Sequence, residues 1–287
     1  MKDVAVLGVG MTRFGKLLDK SLKDLVRESV EKALKDAGIE KKEINAAYMG
    51  NAAAGIMTGQ EMIRGQVTLS AMGIDTIPIY NIESACASSS AAFNLGWTAV
   101  ATGIHDCVLI VGFEKLYDTD KRKSFNALGT GVDLENYLEY FKVAEAQSKF
   151  GDKIFQEGSG EKRSVFMDLY SFLTKNYMRD FGLTQTHFAQ LSVKSHKNGA
   201  QNPHAQYRKE VTLEEVMNSG DVVYPLTRMM CSPIGDGAAA IVLCSKEMAR
   251  RHTTKPVWVA GSVYGSGKIA YDTSDTATKR LSPVLYK

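Results

Sequence analysis

Cysteine and histidine are scarce and scattered in this sequence, and their scarcity removes several kinds of chemistry. The four cysteines, Cys86, Cys107, Cys231 and Cys244, form no C-x-x-C pair, which argues against a zinc ribbon or a thioredoxin-type motif. The five histidines, His105, His187, His196, His204 and His252, show no H-E-x-x-H ligand spacing, and no metal site is expected. So few unpaired cysteines fit a reducing compartment, and a cytoplasmic protein is expected. Long apolar runs are missing as well. The longest near a strand, Cys107-Val-Leu-Ile-Val111, is far too short to span a bilayer. The opening Met1-Lys-Asp-Val-Ala-Val-Leu-Gly carries Asp3 and turns to glycine early, so it reads as a first strand and not a signal peptide. The net charge of +3 gives no footprint for nucleic acid, although it tolerates a small anionic ligand. Neither nucleic acid nor membrane is therefore an expected partner.

The composition is that of a globular chain. Its 287 residues are 44% hydrophobic and 23% charged, enough for one large or two medium domains. Val4 to Val9 reads as a buried strand. Ser21 to Ala37 reads as an amphipathic helix, with Leu22, Leu25, Val26, Val30, Ala33 and Leu34 on one face. Ser21 and Asp24 form a capping-box pattern, and Gly38 supplies the stop. Strands are expected at Ala46 to Met49, Ile77 to Ile82 and Cys107 to Val111. Helices are expected at Glu61 to Met72 and Ser89 to Thr102. This β-α-β-α-β-α-β rhythm predicts an α/β fold with a mostly parallel sheet.

After Lys115 the rhythm breaks into a polar, glycine-punctuated stretch reaching about Arg163. Helical patterning returns at Phe166 to Phe181, Thr186 to Asn198 and Thr212 to Met217. Gly237 to Cys244 reads as a strand that completes the first sheet, which makes residues 115–230 an excursion between two strands of one sheet. Glu247 to His252 is a brief helix, and Val257 to Gly261 a new strand. The domain expectation is thus 1–114 plus 231–245, an inserted 115–230, and 246–287 as the start of a further part.

The most informative segment is Ile77-Pro-Ile-Tyr-Asn-Ile-Glu-Ser-Ala-Cys-Ala-Ser-Ser-Ser-Ala-Ala-Phe93. Cys86 falls where a strand hands over to a helix N-terminus. Unpaired N–H groups and the positive end of the helix dipole gather there, and both favour a thiolate, the nucleophilic form of cysteine. The small neighbours Ser84, Ala85, Ala87 and Ser88 leave room for a carbonyl to approach. A buried cysteine packed as a small hydrophobe is the alternative.

Other motifs carry less. Gly8-Val-Gly10-Met-Thr-Arg-Phe-Gly15 follows the first strand, but Arg13 stands where a dinucleotide fingerprint needs Gly or Ala. Two glycines at a tight turn are the better account. For Gly235-Asp-Gly-Ala-Ala-Ala240 a structural role suffices. His196 is a candidate base for Cys86, with a capping or surface role as the default. Lys121-Arg-Lys123, Lys162-Arg163 and Arg250-Arg251 are basic clusters, each either solvated or able to hold phosphates.

Together these segments resemble the thiolase superfamily, most of all its sterol-carrier-protein-type and archaeal acetyl-CoA acetyltransferase branch. The resemblance is carried by Val6-Leu-Gly-Val-Gly-Met-Thr-Arg-Phe-Gly15 and Glu83-Ser-Ala-Cys-Ala-Ser-Ser-Ser-Ala91. It continues through Val193-Lys-Ser-His-Lys-Asn198 with Asn202-Pro203, Pro225-Leu226 and Asp236-Gly-Ala-Ala-Ala240. It implies a fold of two similar βαβαβαββ halves, with a loop domain inserted in the first. It implies that Cys86 takes the acyl group from an acyl-CoA, ahead of Claisen condensation or thiolytic cleavage. No cofactor is implied; the coenzyme A thioester is the substrate, and the loop domain is where the family binds it. A homodimer is implied too, as is a small zinc-containing OB-fold partner protein in this branch.

The family's second half carries a His-Asp-x-Phe type segment, a Gly-His-Pro segment and a second, acid/base cysteine, and none of these occurs here. By the resemblance, residues 1–245 hold a complete first half and 246–287 only begin the second. Three readings follow: a longer thiolase, a partner chain that supplies the rest, or a shortened relative that binds acyl-CoA or a partner without catalysis. A ketoacyl-synthase-like condensing enzyme is a further alternative, since Ser84-Ala-Cys-Ala-Ser-Ser is similar to its nucleophile segment. The excursion is rich in aromatics (Tyr137, Tyr140, Phe141, Phe150, Phe155, Phe166, Tyr170 and Phe172), which suits either a small local core or a roomy site for a bulky acyl group.

Overall fold

The computed structural model describes residues 1–147, 151–253, 255–267 and 276–286. In chain order the elements begin with β1 (Val4–Met11), α1 (Leu22–Ala37), β2 (Ala46–Gly50), α2 (Ala54–Thr58), α3 (Arg64–Ser70), β3 (Ile79–Ile82), α4 (Ser88–Ala101) and β4 (Cys107–Glu114). There follow α5 (Lys121–Gly129), α6 (Tyr137–Gln147), α7 (Val165–Phe181), α8 (Gln185–Gln201), α9 (Leu213–Met217), β5 (Asp221–Val223) and β6 (Leu226–Thr227). The last elements are β7 (Gly237–Ser245), α10 (Lys246–His252), β8 (Val257–Trp258) and α11 (Ala277–Leu285). The chain divides into two compact units, Met1–Leu116 with Asp236–Lys287, and Tyr117–Gly235.

The first unit is built on a six-stranded sheet of order β3-β2-β4-β7-β1-β8. The expected mostly parallel sheet is corrected to a mixed one. β2 pairs in parallel with β3 and β4, but β7 enters antiparallel between β4 and β1, and β8 is antiparallel to β1. The strands before the excursion run one way. β7 returns from the excursion in the opposite sense and fills the gap between β1 and β4. The last strand is shorter than its sequence pattern, only Val257–Trp258, and pairs with Ala5 and Val6 at the sheet edge.

Both faces of the sheet are covered, as the alternation along β4 requires. Leu109 and Val111 face one core with Leu25, Val26, Val30, Leu69 and Met248, whereas Val108 and Ile110 face another with Ala92, Val100 and Leu243. A fully buried aliphatic side chain of this kind contributes about 1.5–3 kcal/mol. The α1 cap forms as its sequence predicts: Ser21 Oγ accepts the Asp24 N–H at 3.2 Å and Asp24 Oδ2 accepts the Ser21 N–H at 2.9 Å.

Gly8 and Gly10 are not at a tight turn, as the pattern suggested, but inside β1. A Cβ at Gly10 would lie 2.2 Å from the Ser29 carbonyl oxygen, so these glycines let α1 lie directly on the strand. The single helix expected over Glu61 to Met72 starts only at Arg64. Left-handed Gly59 and Ile63 break the i→i−4 ladder and leave α2 as a separate short turn.

Asp236 fastens the points where the chain leaves and re-enters this unit. Its fully buried carboxylate accepts the Leu116 N–H at 2.8 Å, the Leu17 N–H at 3.1 Å and the Lys115 ammonium at 3.0 Å.

The second unit is mainly helical. The polar stretch after Lys115 contains two helices that its composition concealed; Asp120 caps the first by accepting the Arg122 N–H at 3.1 Å. Phe141, Ile154 and Phe172 are buried, and Phe141 meets Phe155 edge-on with centroids 4.8 Å apart. Phe155 is partly buried and Tyr170 is exposed. Phe150 and the side chains of Tyr137 and Tyr140 lie outside the described residues.

Candidate active site

Cys86 sits in a 3-10 turn, Ala85–Ala87, between the end of β3 and the start of α4. The position follows from how closely α4 approaches the sheet. A Cβ at Gly50, the last residue of β2, would lie 2.9 Å from the Ser88 main chain. One at Gly112 in β4 would lie 2.2 Å from Ser89 Oγ. The first turn of α4 therefore rests on the carboxyl-terminal ends of two parallel strands, where open α/β sheets bind their ligands.

The backbone before Cys86 is strained. Ser84 has φ −160° and ψ 49°, and Ala85 has φ +44°. A left-handed alanine costs about 1–2 kcal/mol because its Cβ crowds the following carbonyl. Among the described residues only Ile63 shares this feature outside glycine. Side chains hold the turn. Glu83 Oε1 accepts the Ala85 N–H. Ser88 Oγ accepts the Ser84 N–H at 2.9 Å and donates to the Ala85 carbonyl at 2.7 Å. Ser84 Oγ bonds the Tyr264 hydroxyl, and Asn94 Nδ2 donates to the Ser262 carbonyl at 3.1 Å, so the segment after β8 lies along α4.

The strand ends beneath the turn carry a buried polar group. Asn51 Nδ2 donates to the Phe113 carbonyl at 2.6 Å and to Glu114 Oε1 at 3.2 Å, while Glu114 Oε2 accepts the Ala52 and Ala53 N–H groups. Asn51 Oδ1 is buried without a hydrogen-bond partner. Sequence reading named Glu83 only as the first residue of a family-like segment and Ser88 only as a small neighbour, and singled out neither Asn51 nor Glu114. The one local signal for Ser88 was a hydroxyl in the first turn after the kink, within reach of the main-chain N–H four residues before it.

The four cysteines fall into different environments. Cys86 is exposed, whereas Cys107 and Cys244 are buried opposite each other on β4 and β7. Burial pushes the Cys107 thiol up to about 12 and the Cys244 thiol to about 11. Cys231, partly buried in the second unit, is also raised by burial, and its Sγ lies 3.4 Å from the Thr227 carbonyl. His196 lies in that unit on α8, where its ring stacks on Tyr207 at 5.9 Å and its Nδ1 is buried without a partner. Three residues of the basic clusters are ion-paired. Arg122 meets Asp120 and Lys123 meets Asp118, and the Arg163 guanidinium is enclosed by the fully buried Asp168 and the Glu157 carbonyl. No cluster of metal-binding side chains occurs among the described residues. Nor is any described helix long and apolar enough to cross a membrane.

The family model described as "Thiolase, N-terminal domain" matches residues 4–247. An acetyl-CoA acetyltransferase of Methanothermobacter thermautotrophicus is 39% identical over 270 residues, 94% of this chain and 64% of that protein. The benzoylsuccinyl-CoA thiolase subunit BbsB of Thauera aromatica is 31% identical over 292 residues, 100% of this chain and 68% of its own length. Among solved structures, the Ltp2-ChsH2(DUF35) aldolase superposes with a TM-score of 0.67 at 23% identity, covering 96% of this chain and 65% of that one. The chain thus spans just under two thirds of the length of the acetyltransferase it matches.

Proposed function

This chain belongs to the thiolase family, and we propose that it carries the acyl-accepting half of an acyl-CoA acyltransferase, with Cys86 as the nucleophile. The observation that carries the reading is an exposed thiol on a strained turn at the head of α4, above the carboxyl ends of β2 and β4. The Cys86 thiolate attacks the carbonyl carbon of a coenzyme A thioester. The resulting oxyanion collapses, the carbon–sulfur bond to coenzyme A breaks, and the departing thiolate takes up the proton lost by Cys86. An acyl-cysteine thioester remains and splits one difficult step into two. The Cys86 N–H, at the helix start, is the oxyanion donor this chain itself offers. In the condensing direction the α-carbon of a second acyl-CoA, once deprotonated, attacks the acyl carbonyl and releases the Cys86 thiolate. In the cleavage direction the Cys86 thiolate instead attacks the β-keto carbon of a β-ketoacyl-CoA, and the carbon–carbon bond breaks. The shorter acyl-CoA leaves as an enolate that takes up a proton, and coenzyme A then accepts the acyl group from Cys86.

A homodimer is part of the proposal. Its support is β3, which lies at the edge of the sheet with Tyr80 and Asn81 exposed, although Gln66 Nε2 already donates to the Ile79 carbonyl there at 3.0 Å. A small zinc-containing OB-fold protein is the proposed second partner, supported by relatives whose names describe a subunit or a two-component assembly. A cytoplasmic location fits the free, unpaired cysteines.

The test is to incubate the chain with acetyl-CoA and longer acyl-CoA thioesters and weigh the Cys86 peptide. An acyl adduct that disappears in Cys86→Ser is expected. Coenzyme A binding without any adduct would favour the non-catalytic subunit instead.

A further inference from the structure

We propose that Ser88 and Glu83 are positioning residues that lock the kinked turn and thereby set the reactivity of Cys86. This deepens the reading of Cys86 as the nucleophile and rests on it. Three main-chain groups flank the strained residues, and two side chains engage all three. The Ser88 hydroxyl is both acceptor and donor, taking the Ser84 N–H at 2.9 Å and giving to the Ala85 carbonyl at 2.7 Å. Glu83 Oε1 takes the Ala85 N–H from the other side. Ser88 is 4% exposed, so water does not readily replace it. Ser88 is also the first residue of α4, and α4 is seated on Gly50 and Gly112. One hydroxyl therefore ties the kink to the part of the helix that cannot shift. Without these bonds Ala85 is free to leave its left-handed conformation, and Cys86 rotates out of line with the N–H groups at the helix start.

The chain carries its own control, because Cys231 lies in the other unit and takes no part in this turn. Native protein is treated with iodoacetamide at neutral pH, and the rates at Cys86 and Cys231 are read from peptide masses. Ser88→Ala and Glu83→Ala should each lower the Cys86 rate about fivefold relative to Cys231, a change the size of a helix-terminus interaction. Glu83→Gln keeps an acceptor oxygen and should stay within about twofold of the parent. Equal Cys86 rates in the parent and both alanine variants would overturn the proposal, as would a loss in Glu83→Gln matching that in Glu83→Ala. If Ser88→Ala does not fold, the exposed Glu83 pair decides alone. Alkylation needs no acyl-CoA, so failure of the acyltransferase reading would appear separately, as a parent Cys86 that alkylates but never takes an acyl group.

Discussion

Cys86 and the Cys107–Cys244 rung belong to the same unit, yet their surroundings give one amino acid opposite characters. The rung lies between β4 and β7. The Cys107 N–H is turned away toward Asn45 Oδ1 at 2.9 Å, and the neighbouring Asp106 carbonyl accepts the Ser245 N–H. The two thiols thus meet at a non-hydrogen-bonded pair in the middle of a core, where desolvation keeps them protonated. Cys86 is exposed, on a kinked turn that ordinary packing would not choose. The sheet interior stores stability, and the turn at its carboxyl end spends some of it.

That contrast can be pressed at several points, and the largest effect belongs to the buried side. Asp236→Ala should cost about 3–5 kcal/mol in urea unfolding, because it leaves the Lys115 ammonium without its carboxylate. A loss below 1 kcal/mol would mean that the clasp holds little. Next, alkylation of the native protein at pH 7.5 should modify Cys86 roughly a hundredfold faster than Cys107 or Cys244, whose thiolates are nearly absent there. Comparable rates at all three would erase the contrast.

The same substitution at the two places separates them again. Cys107→Ser should destabilise by about 2 kcal/mol by burying a hydroxyl, while Cys86→Ser should change stability by less than about 0.5 kcal/mol and still abolish acyl transfer. A pH series gives the smallest effect. The rung's pKa values lie above the unfolded 9.0, so unfolding releases protons in alkali and stability must fall as pH rises from about 9 toward 11 and 12. The fall in urea midpoint should be shallower in a Cys107→Ala, Cys244→Ala double variant.

Much of the fold was legible because it is written locally. Ser21, Asp24 and the apolar stripe of α1 specify that helix without outside help, and Thr212 with Glu215 does the same for α9. The parallel sheet was misjudged because strand order is not a local property; nothing in Gly237 to Ser245 says that it lies between β1 and β4. Helix α5 was hidden by its polarity and α6 by the polar, glycine-punctuated stretch around it, and the glycines of β1 were misread because what they touch, α1, lies about twenty residues further on. At the candidate site, the strand-to-helix setting of Cys86 was legible in the small residues around it. The left-handed Ala85 and the double role of the Ser88 hydroxyl were not, because both depend on a helix pressed against two distant glycines.

The insertion of β7 also bears on how the molecule is made. Thr12 beside β1 and Ala238 in β7 bond to each other across 226 residues of chain. A ribosome delivers β1 early and its neighbour on that side only after the whole of the second unit has been synthesised. Until then β1 and β4 each present an open edge to the cell. At a synthesis rate of about 5–20 residues per second, that exposure lasts at least about ten seconds for β1 and about six for β4. The strand that completes the sheet is thus also the last of its interior strands to be synthesised.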